Sequence, residues 1–417
     1  MDIWRIRGGH KLTGVCFVQG SKNASLPILA ASMLVPAETE LQNMPQLRDI
    51  DAALRILRHL GCEAEQRENE VYIDARGVSR CFIPHKLMLE MRSSVIFMGA
   101  LLARCGEARL SPPGGCQLGK RPIDLHLAAL RKLGARIEED GDEILCRAGR
   151  LRGTELLLPF PSVGATENIM LAATAAEGET VIRGAAREPE ITALQDYLVK
   201  LGFAVSGAGT ERIVIGGRRK VGHIEHRVLS DRIVASTVAC AAAACGGSVE
   251  LRGVEPEHFS TVLHFLKQAG CDIIIKNRSV WLRSGGRLHG VSPIRTEPYP
   301  GFPTDAQPVL MAALLKARGR SVITETIFEN RFRQVPELKR LGADIILRGQ
   351  SAEIRGVDSL HGTVLNATDL RGGAAMIVAG LTAEGETRVF DEGHIRRGYE
   401  RFDARLRALG ADICLDQ

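Results

Sequence analysis

Leu133-Gly134-Ala135 closes a helix and opens a strand, because a glycine there takes the left-handed conformation that ends a helix without a Cβ penalty. Close variants stand at Leu60-Gly61-Cys62, Leu201-Gly202-Phe203, Ala269-Gly270-Cys271, Leu341-Gly342-Ala343 and Leu409-Gly410-Ala411. Their glycines lie 73, 68, 68, 72 and 68 residues apart. A second series, Gly106, Gly178, Gly246, Gly319 and Gly385, marks a turn into a strand at nearly the same period. A third follows L-x-G at Leu12-Thr-Gly14, Leu151-Arg-Gly153, Leu288-His-Gly290 and Leu360-His-Gly362. Three glycine series in one phase imply a small α/β unit used six times.

Within each unit the pattern runs strand, apolar helix, turn, strand, amphipathic helix, Leu-Gly-Ala, strand. The apolar helices are expected at Ala24–Val35, Ser94–Ala103, Glu167–Ala176, Ile233–Ala244, Ala306–Ala317 and Ala374–Ala383. They are rich in small residues and apolar on nearly every face, so each must be buried all round. Two α/β domains of three units each follow, helices inside and strands outside. The first is expected over 20–228 and the second over 1–19 plus 229–417, with one strand over Asp2–Gln19 returning to the second.

Of the 417 residues, 45% are hydrophobic, 25% charged and 4% aromatic, an ordinary soluble composition. The net charge of +5 is spread along the chain, without a basic tract interleaved with aromatics, which argues against nucleic acid and leaves acidic small molecules open. The ten cysteines show neither paired nor metal-ligand spacing, so reduced thiols in a cytoplasmic protein and no metal are expected. The N-terminus lacks the apolar region of a signal peptide, and the Ala-rich run Ile233–Cys245 falls short of the roughly 20 residues a membrane span needs.

Polar or charged residues stand at or before the apolar helices: Lys22-Asn23, Arg92, Ser162 and Thr166, Asp231-Arg232, Thr304-Asp305, and Arg371. Ser and Asp cap helices routinely. Lys and Arg sit badly with the positive end of the helix dipole, so their presence suggests an anion bound where several helix N-termini converge. The stretch Ser111-Pro-Pro-Gly-Gly-Cys116-Gln-Leu-Gly-Lys120-Arg121-Pro122-Ile-Asp124 is the other candidate. Prolines and glycines shape this loop, and Lys120 and Arg121 favour a reactive thiolate at Cys116 over a chance cysteine in an exposed turn. The run Gly114 to Lys120 begins like a phosphate-binding P-loop, but Arg121 replaces the Ser or Thr that would hold magnesium, and a nucleoside-triphosphate site is rejected.

Several stretches then stand in order. They are Gly20-Ser-Lys-Asn-Ala-Ser-Leu-Pro27, Pro113-Gly-Gly-Cys116-x-x-Gly-x-Arg121-Pro-x-Asp124-Leu-His126, Ala186-Arg-Glu-Pro-Glu-Ile191 and Gly301-Phe-Pro-Thr-Asp305, followed by Phe328-Glu-Asn-Arg-Phe332, Thr368-Asp-Leu-Arg371 and Arg397-Gly-Tyr-Glu400. From about Arg5 to Asp412 the chain closely resembles the UDP-N-acetylglucosamine 1-carboxyvinyltransferase family. The resemblance implies a two-domain inside-out α/β barrel with its active site between the domains. It implies transfer of enolpyruvyl from phosphoenolpyruvate to the sugar 3-hydroxyl, the first committed step of peptidoglycan synthesis, without cofactor or metal. By the same resemblance Lys22, Arg121, Arg331, Arg371 and Arg397 would hold phosphoenolpyruvate, with Arg92 supporting the loop. Asp305 would orient or deprotonate the hydroxyl, and Cys116 or Lys22 would protonate carbon 3. The UDP-sugar would meet Asn23, Arg92, Arg121, Pro122, Ile123, Asp124, Leu125, Ser162, Val163, Gly164, Thr304, Asp305 and the backbone of Ile327. Cys116 would be the target of fosfomycin. A monomer is expected.

Phe160-Pro161 stands where the family has a lysine before Ser-Val-Gly, Arg396 replaces an acidic residue, and Gly372-Gly373 is expected to loosen the last buried helix. A silent sugar-nucleotide-binding paralogue and a shikimate-pathway enolpyruvyl transferase are the alternatives.

Overall fold

The computed structural model describes residues 1–111, 123–141, 143–218 and 223–416, and of Arg92 and Arg218 only the backbone. Among the described residues the strands form six four-stranded sheets. Five share one construction, which the sheet of residues 38–74 and 224–227 illustrates. There Ile224–Arg227 pairs in parallel with Glu38–Gln42, which pairs antiparallel with Glu70–Asp74, which in turn pairs antiparallel with the edge strand Glu63–Arg67. The last two form a hairpin with a two-residue turn whose first residue, Glu68, is left-handed at φ 52°. This second hairpin strand was not expected from the sequence; alternation over five residues is too short to separate two strands joined so tightly.

The glycine series have direct physical causes. In the six Leu-Gly-Ala variants the glycine φ lies between 91° and 108°, the left-handed closure of an amphipathic helix. In the L-x-G series a Cβ at Gly153, Gly290 or Gly362 would lie 2.4–2.5 Å from a backbone oxygen of Glu179, Arg320 or Glu386. Only glycine lets these strands approach so closely.

The helices behind the sheets are Lys22–Ser32, Phe97–Cys105 (preceded by a 3-10 turn, Arg92–Ile96), Val163–Ala173, Arg232–Cys245, Gln307–Ala313 and Leu370–Gly380. In Arg232–Cys245 every residue through Ala244 is buried. Small residues permit such packing: a Cβ on Gly99 would lie 2.3 Å from the Asn168 carbonyl oxygen of the neighbouring helix. No helix among the described residues is long and apolar enough to cross a membrane.

Two compact units emerge, each with its own apolar core and three of the sheets. One runs from Gly20 to Leu229 and the other joins Met1–Gln19 to the residues from Ser230 onward, so Leu229 falls on the side opposite to that expected. Strands distant in sequence complete both. Ile224–Arg227 completes the sheet begun by Glu38–Gln42, while Leu12–Phe17 pairs in parallel with Gly247–Arg252 and Asp2–Arg7 pairs antiparallel with Asp412–Asp416. The single strand expected over Asp2–Gln19 is therefore two strands in two sheets. The break falls at Gly8, where a Cβ would lie 2.2 Å from the Ala383 carbonyl oxygen, and at Gly9, whose φ is +88°.

Candidate functional site

The described candidate residues gather in each unit separately. In the unit beginning at Ser230 the helix Gln307–Ala313 is preceded by Thr304 and Asp305. Arg331 is buried, and its Nη2 donates to Asp305 Oδ1 at 2.6 Å while its Nε donates to the Thr304 carbonyl at 3.1 Å. Arg371, the second residue of Leu370–Gly380, sends Nη2 to Asp305 Oδ2 at 3.4 Å and Nη1 to Tyr399 Oη at 3.5 Å. Tyr399 Oη in turn lies 2.9 Å from Thr237 Oγ1. Asp305 thus bridges two buried guanidiniums, one oxygen to each. Burial opposes the Arg371 charge, but Asp305, Tyr399 and Asp231 outweigh it and raise its pKa further. Burial raises the Tyr399 pKa although Arg371 pulls it down, so the phenol stays neutral.

Glu325 organises the approach to this cluster. Its buried carboxylate accepts from Thr296 Oγ1 at 3.0 Å, Thr304 Oγ1 at 2.9 Å, and the backbone amides of Ile327 and Phe328 at 2.8 and 3.1 Å. Four donors on one carboxylate fix Thr304 and the Ile327 backbone relative to one another. Arg397 lies in the same unit, on the 3-10 turn Ile395–Arg397.

In the unit beginning at Gly20, Lys22 opens the helix Lys22–Ser32, its Nζ 3.3 Å from the carboxylate of buried Asp49, with Asn23 half-buried beside it. Ile123, Asp124 and Leu125 stand at the start of Asp124–Lys132, and Ser162, Val163 and Gly164 at the start of Val163–Ala173. One residue joins these two helix starts. His126 Nδ1 lies 2.7 Å from Asn168 Nδ2, and a Cβ on Gly164 would lie 3.1 Å from the His126 ring. Asn168 also donates to the Val95 carbonyl at 3.1 Å and accepts from the Gly99 amide at 2.7 Å. Burial pushes the His126 pKa down to about 4, against a smaller upward pull from Asp124, so the ring is neutral. Glu167, next to Asn168 in the chain, is buried; burial first, then Glu190 and Glu188, push its pKa well up.

The N-caps refine the expected anion site. Ser21, Ser162, Asp231 and Asp369 accept hydrogen bonds from first-turn amides with their own side chains. At these four helices polar residues cap, while Lys22, Arg232 and Arg371 occupy the first or second helical position. The glycines expected to loosen the start of the last helix stand where a side chain would be crowded. A Cβ on Gly372 would lie 2.5 Å from Thr368 Oγ1, and one on Gly373 would lie 2.8 Å from Ile395.

Cys116, Arg121 and Pro122 lie outside the described residues, as does the side chain of Arg92. The described cysteines are unpaired, and burial pushes Cys62, Cys146 and Cys245 up to about 12, as unreactive core thiols. Sequence reasoning missed Tyr399, Asp49, Asp369, Glu325, His126 and Asn168 as partners. Most stand inside or beside the recognised stretches, yet nothing local shows which distant residue each would meet.

The sequence pattern of EPSP synthase (3-phosphoshikimate 1-carboxyvinyltransferase) matches residues 6–406. Over 413 residues the chain is 48% identical to UDP-N-acetylglucosamine 1-carboxyvinyltransferase 2 of Caldanaerobacter subterraneus subsp. tengcongensis, covering 99% of each. It is 45% identical to UDP-N-acetylglucosamine 1-carboxyvinyltransferase of Geotalea uraniireducens, again over 99% of each. This chain belongs to the UDP-N-acetylglucosamine 1-carboxyvinyltransferase family. Its backbone is similar to the enolpyruvyl transferase NikO from Streptomyces tendae, with a TM-score of 0.89 at 24% identity over 99% of this chain and 98% of that one. EPSP synthase from Acinetobacter baumannii follows at 0.77 and 23%, over the whole of both chains. These two share the mixed α/β enolpyruvyl transferase fold.

Proposed function

We propose that the chain transfers the enolpyruvyl group of phosphoenolpyruvate to the 3-hydroxyl of UDP-N-acetylglucosamine, releasing phosphate, as the first committed step of peptidoglycan synthesis in the cytoplasm. The observation that carries this is identity of 48% along essentially the whole length of a transferase named for that reaction. Six sheets backed by buried helices, three sheets to each unit, support the inside-out α/β arrangement.

Phosphoenolpyruvate carries a carboxylate and a phosphate, and Lys22, Arg121, Arg331, Arg371 and Arg397 are assigned to them, with Arg92 supporting the loop. Pre-placed guanidiniums in a dry site stabilise charge without reorganising. The sugar oxygen bonds to carbon 2 and its hydroxyl proton passes to water, while carbon 3 takes a proton from Cys116 or Lys22; a proton of the resulting methyl group then returns to that residue as phosphate leaves, which restores the enol ether. Closure of the Cys116 loop would keep water from the intermediate. Asp305 is assigned to the 3-hydroxyl. Because Arg331 and Arg371 already hold both its oxygens, it is better suited to orienting that hydroxyl than to acting as a strong base. The Ile327 amide is donated to Glu325, so any sugar contact from that backbone falls to its carbonyl oxygen. Asn23 and Thr304 are assigned to the sugar, and Pro122, Ile123, Asp124, Leu125, Ser162, Val163 and Gly164 to the uridine diphosphate.

Phosphate release from phosphoenolpyruvate should require UDP-N-acetylglucosamine and should not occur with shikimate 3-phosphate. Tight binding of the sugar nucleotide without release would instead identify a silent paralogue. Fosfomycin should add its mass to Cys116 when the sugar nucleotide is present. Cys116→Asp should retain turnover and lose alkylation, and persistent drug sensitivity in that variant would remove Cys116 from this role.

A further inference from the structure

Each of the six sheets ends in an edge strand, and these edges differ in what they offer a neighbour. Asp272-Ile273-Ile274-Ile275-Lys276 is the edge of the sheet it shares with Ser279–Ser284, Gly247–Arg252 and Leu12–Phe17. Lys276 and Ser279 flank a two-residue turn, so they exchange hydrogen bonds with one another. Alternation then directs the amides and carbonyls of Ile274 and Asp272 inward, and those of Ile273 and Ile275 out of the sheet. Ile274 and Ile275 are 66% and 55% exposed. Opposite Ile274 stands Trp281, 48% exposed, and Val15 on the far edge strand is 41% exposed. Ile274 and Trp281 thus form an exposed apolar pair at the open edge, and Glu250, which accepts from Arg252 at 2.8 Å, separates that pair from Val15.

We infer that this edge pairs antiparallel with the same edge of a second copy of the chain, about a two-fold axis through Ile274. In that register Ile273 faces Ile275 of the other copy, and their outward amides and carbonyls form hydrogen-bonded pairs. Ile274 meets its own equivalent, and Asp272 faces Lys276 at both ends. These outer pairs are of the non-hydrogen-bonded kind, in which side chains come closest. Charge, polarity and backbone phase agree on one register.

The corresponding edges of the five other sheets lack this agreement. Self-pairing of Glu63–Arg67 would bring Glu65 against Glu65, and that of Arg136–Asp140 would bring Glu138 against Glu138. Asp412–Asp416 would oppose aspartates at both ends. Phe203–Ser206 carries a register shift. Asp344–Arg348 has suitable ends, but its central Ile346 faces Glu353, whose carboxylate accepts from Arg355 at 3.0 Å, so charge stands directly beside the edge where Ile274 has Trp281. A single five-residue strand buries far less than the roughly 1,200 Å² of stable dimers, so the association is weak and the dilute chain is a monomer.

Sedimentation velocity of the full-length chain over a wide concentration range tests this. A reversible monomer–dimer equilibrium is expected. Ile274→Lys, at an exposed position, should abolish it with the melting temperature unchanged. Asp272→Lys and Lys276→Asp should each remove the dimer, their mixture should form heterodimers, and the double variant D272K/K276D should recover self-association. A strictly monomeric wild type at its solubility limit would overturn the proposal. So would dimers that survive Ile274→Lys but vanish in Ile346→Lys, which would place the contact on the other edge.

Discussion

The two units position their candidate residues by opposite electrostatic means. In the unit beginning at Ser230, three side chains meet as ions: Arg331 and Arg371 on the two oxygens of Asp305. In the unit beginning at Gly20, two helix starts are held by neutral groups, His126 on Asn168, with Gly164 leaving room for the ring. A buried ionic knot costs much to assemble and more to break, because losing one partner strands charge in a dry interior. A neutral network costs only unmade hydrogen bonds and lost packing. The difference suits the proposed ligands: a dense anion needs buried positive charge prepared in advance, whereas a uridine needs shape and backbone placement.

Breaking the ionic knot should give the largest effect. Asp305→Ala removes the counter-ion shared by two buried guanidiniums, leaving Arg331 with Asp369 at 4.0 Å and Arg371 with Tyr399 and the field of Asp231, and should destabilise its unit by about 3–5 kcal/mol, read from denaturant midpoints. Activity should be lost even where folding is retained at low temperature. Asp305→Asn should fold better than Asp305→Ala yet stay impaired, since an amide can occupy the position without balancing charge. Equal stability of these two variants would mean that the knot is held by shape.

The neutral network should yield less. Asn168→Ala removes the partner of His126, of the Gly99 amide and of the Val95 carbonyl, and should cost roughly 1–3 kcal/mol for the groups left unmet. The Michaelis constant for the sugar nucleotide should rise more than kcat falls.

Acid should also separate the mechanisms. His126 and His226 are both held near 4 by burial, against an ordinary value of 6.5. The unfolded chain takes up these protons as pH falls below 6.5, while the folded chain resists until about 4. Stability should be full above pH 6.5 and fall progressively towards 4. His226→Leu should flatten part of that slope in thermal melts between pH 7 and pH 4.5. Glu167 acts in the opposite sense, because a raised folded pKa favours the folded state at low pH and loses that contribution as pH rises.

The smallest change is expected at Phe160, which is 44% exposed and stands where the resemblance implies a lysine. Phe160→Lys should lower the Michaelis constant for UDP-N-acetylglucosamine a few-fold through one partly solvated charge contact, leaving kcat and stability nearly unchanged.

Much of this molecule was legible without coordinates, for local reasons. A glycine that must adopt positive φ at a helix end repeats wherever that helix end repeats, and a helix that must be buried on every side is apolar on every side. The six helix closures and the buried helices rest on such constraints, each settled within a dozen residues. Family membership rests on ordered stretches that survive as sequence. Tertiary structure alone decided the rest. Thr39 meets Tyr197 across 158 residues, Thr237 meets Tyr399 across 162, and Asp2–Arg7 pairs with Asp412–Asp416. It also made caps of Ser21 and Asp369 and turned the glycines of the last buried helix into close contacts. Periodicity specifies which face of an element is buried, but the identity of its neighbour depends on how the chain returns, and that is a property of the whole fold.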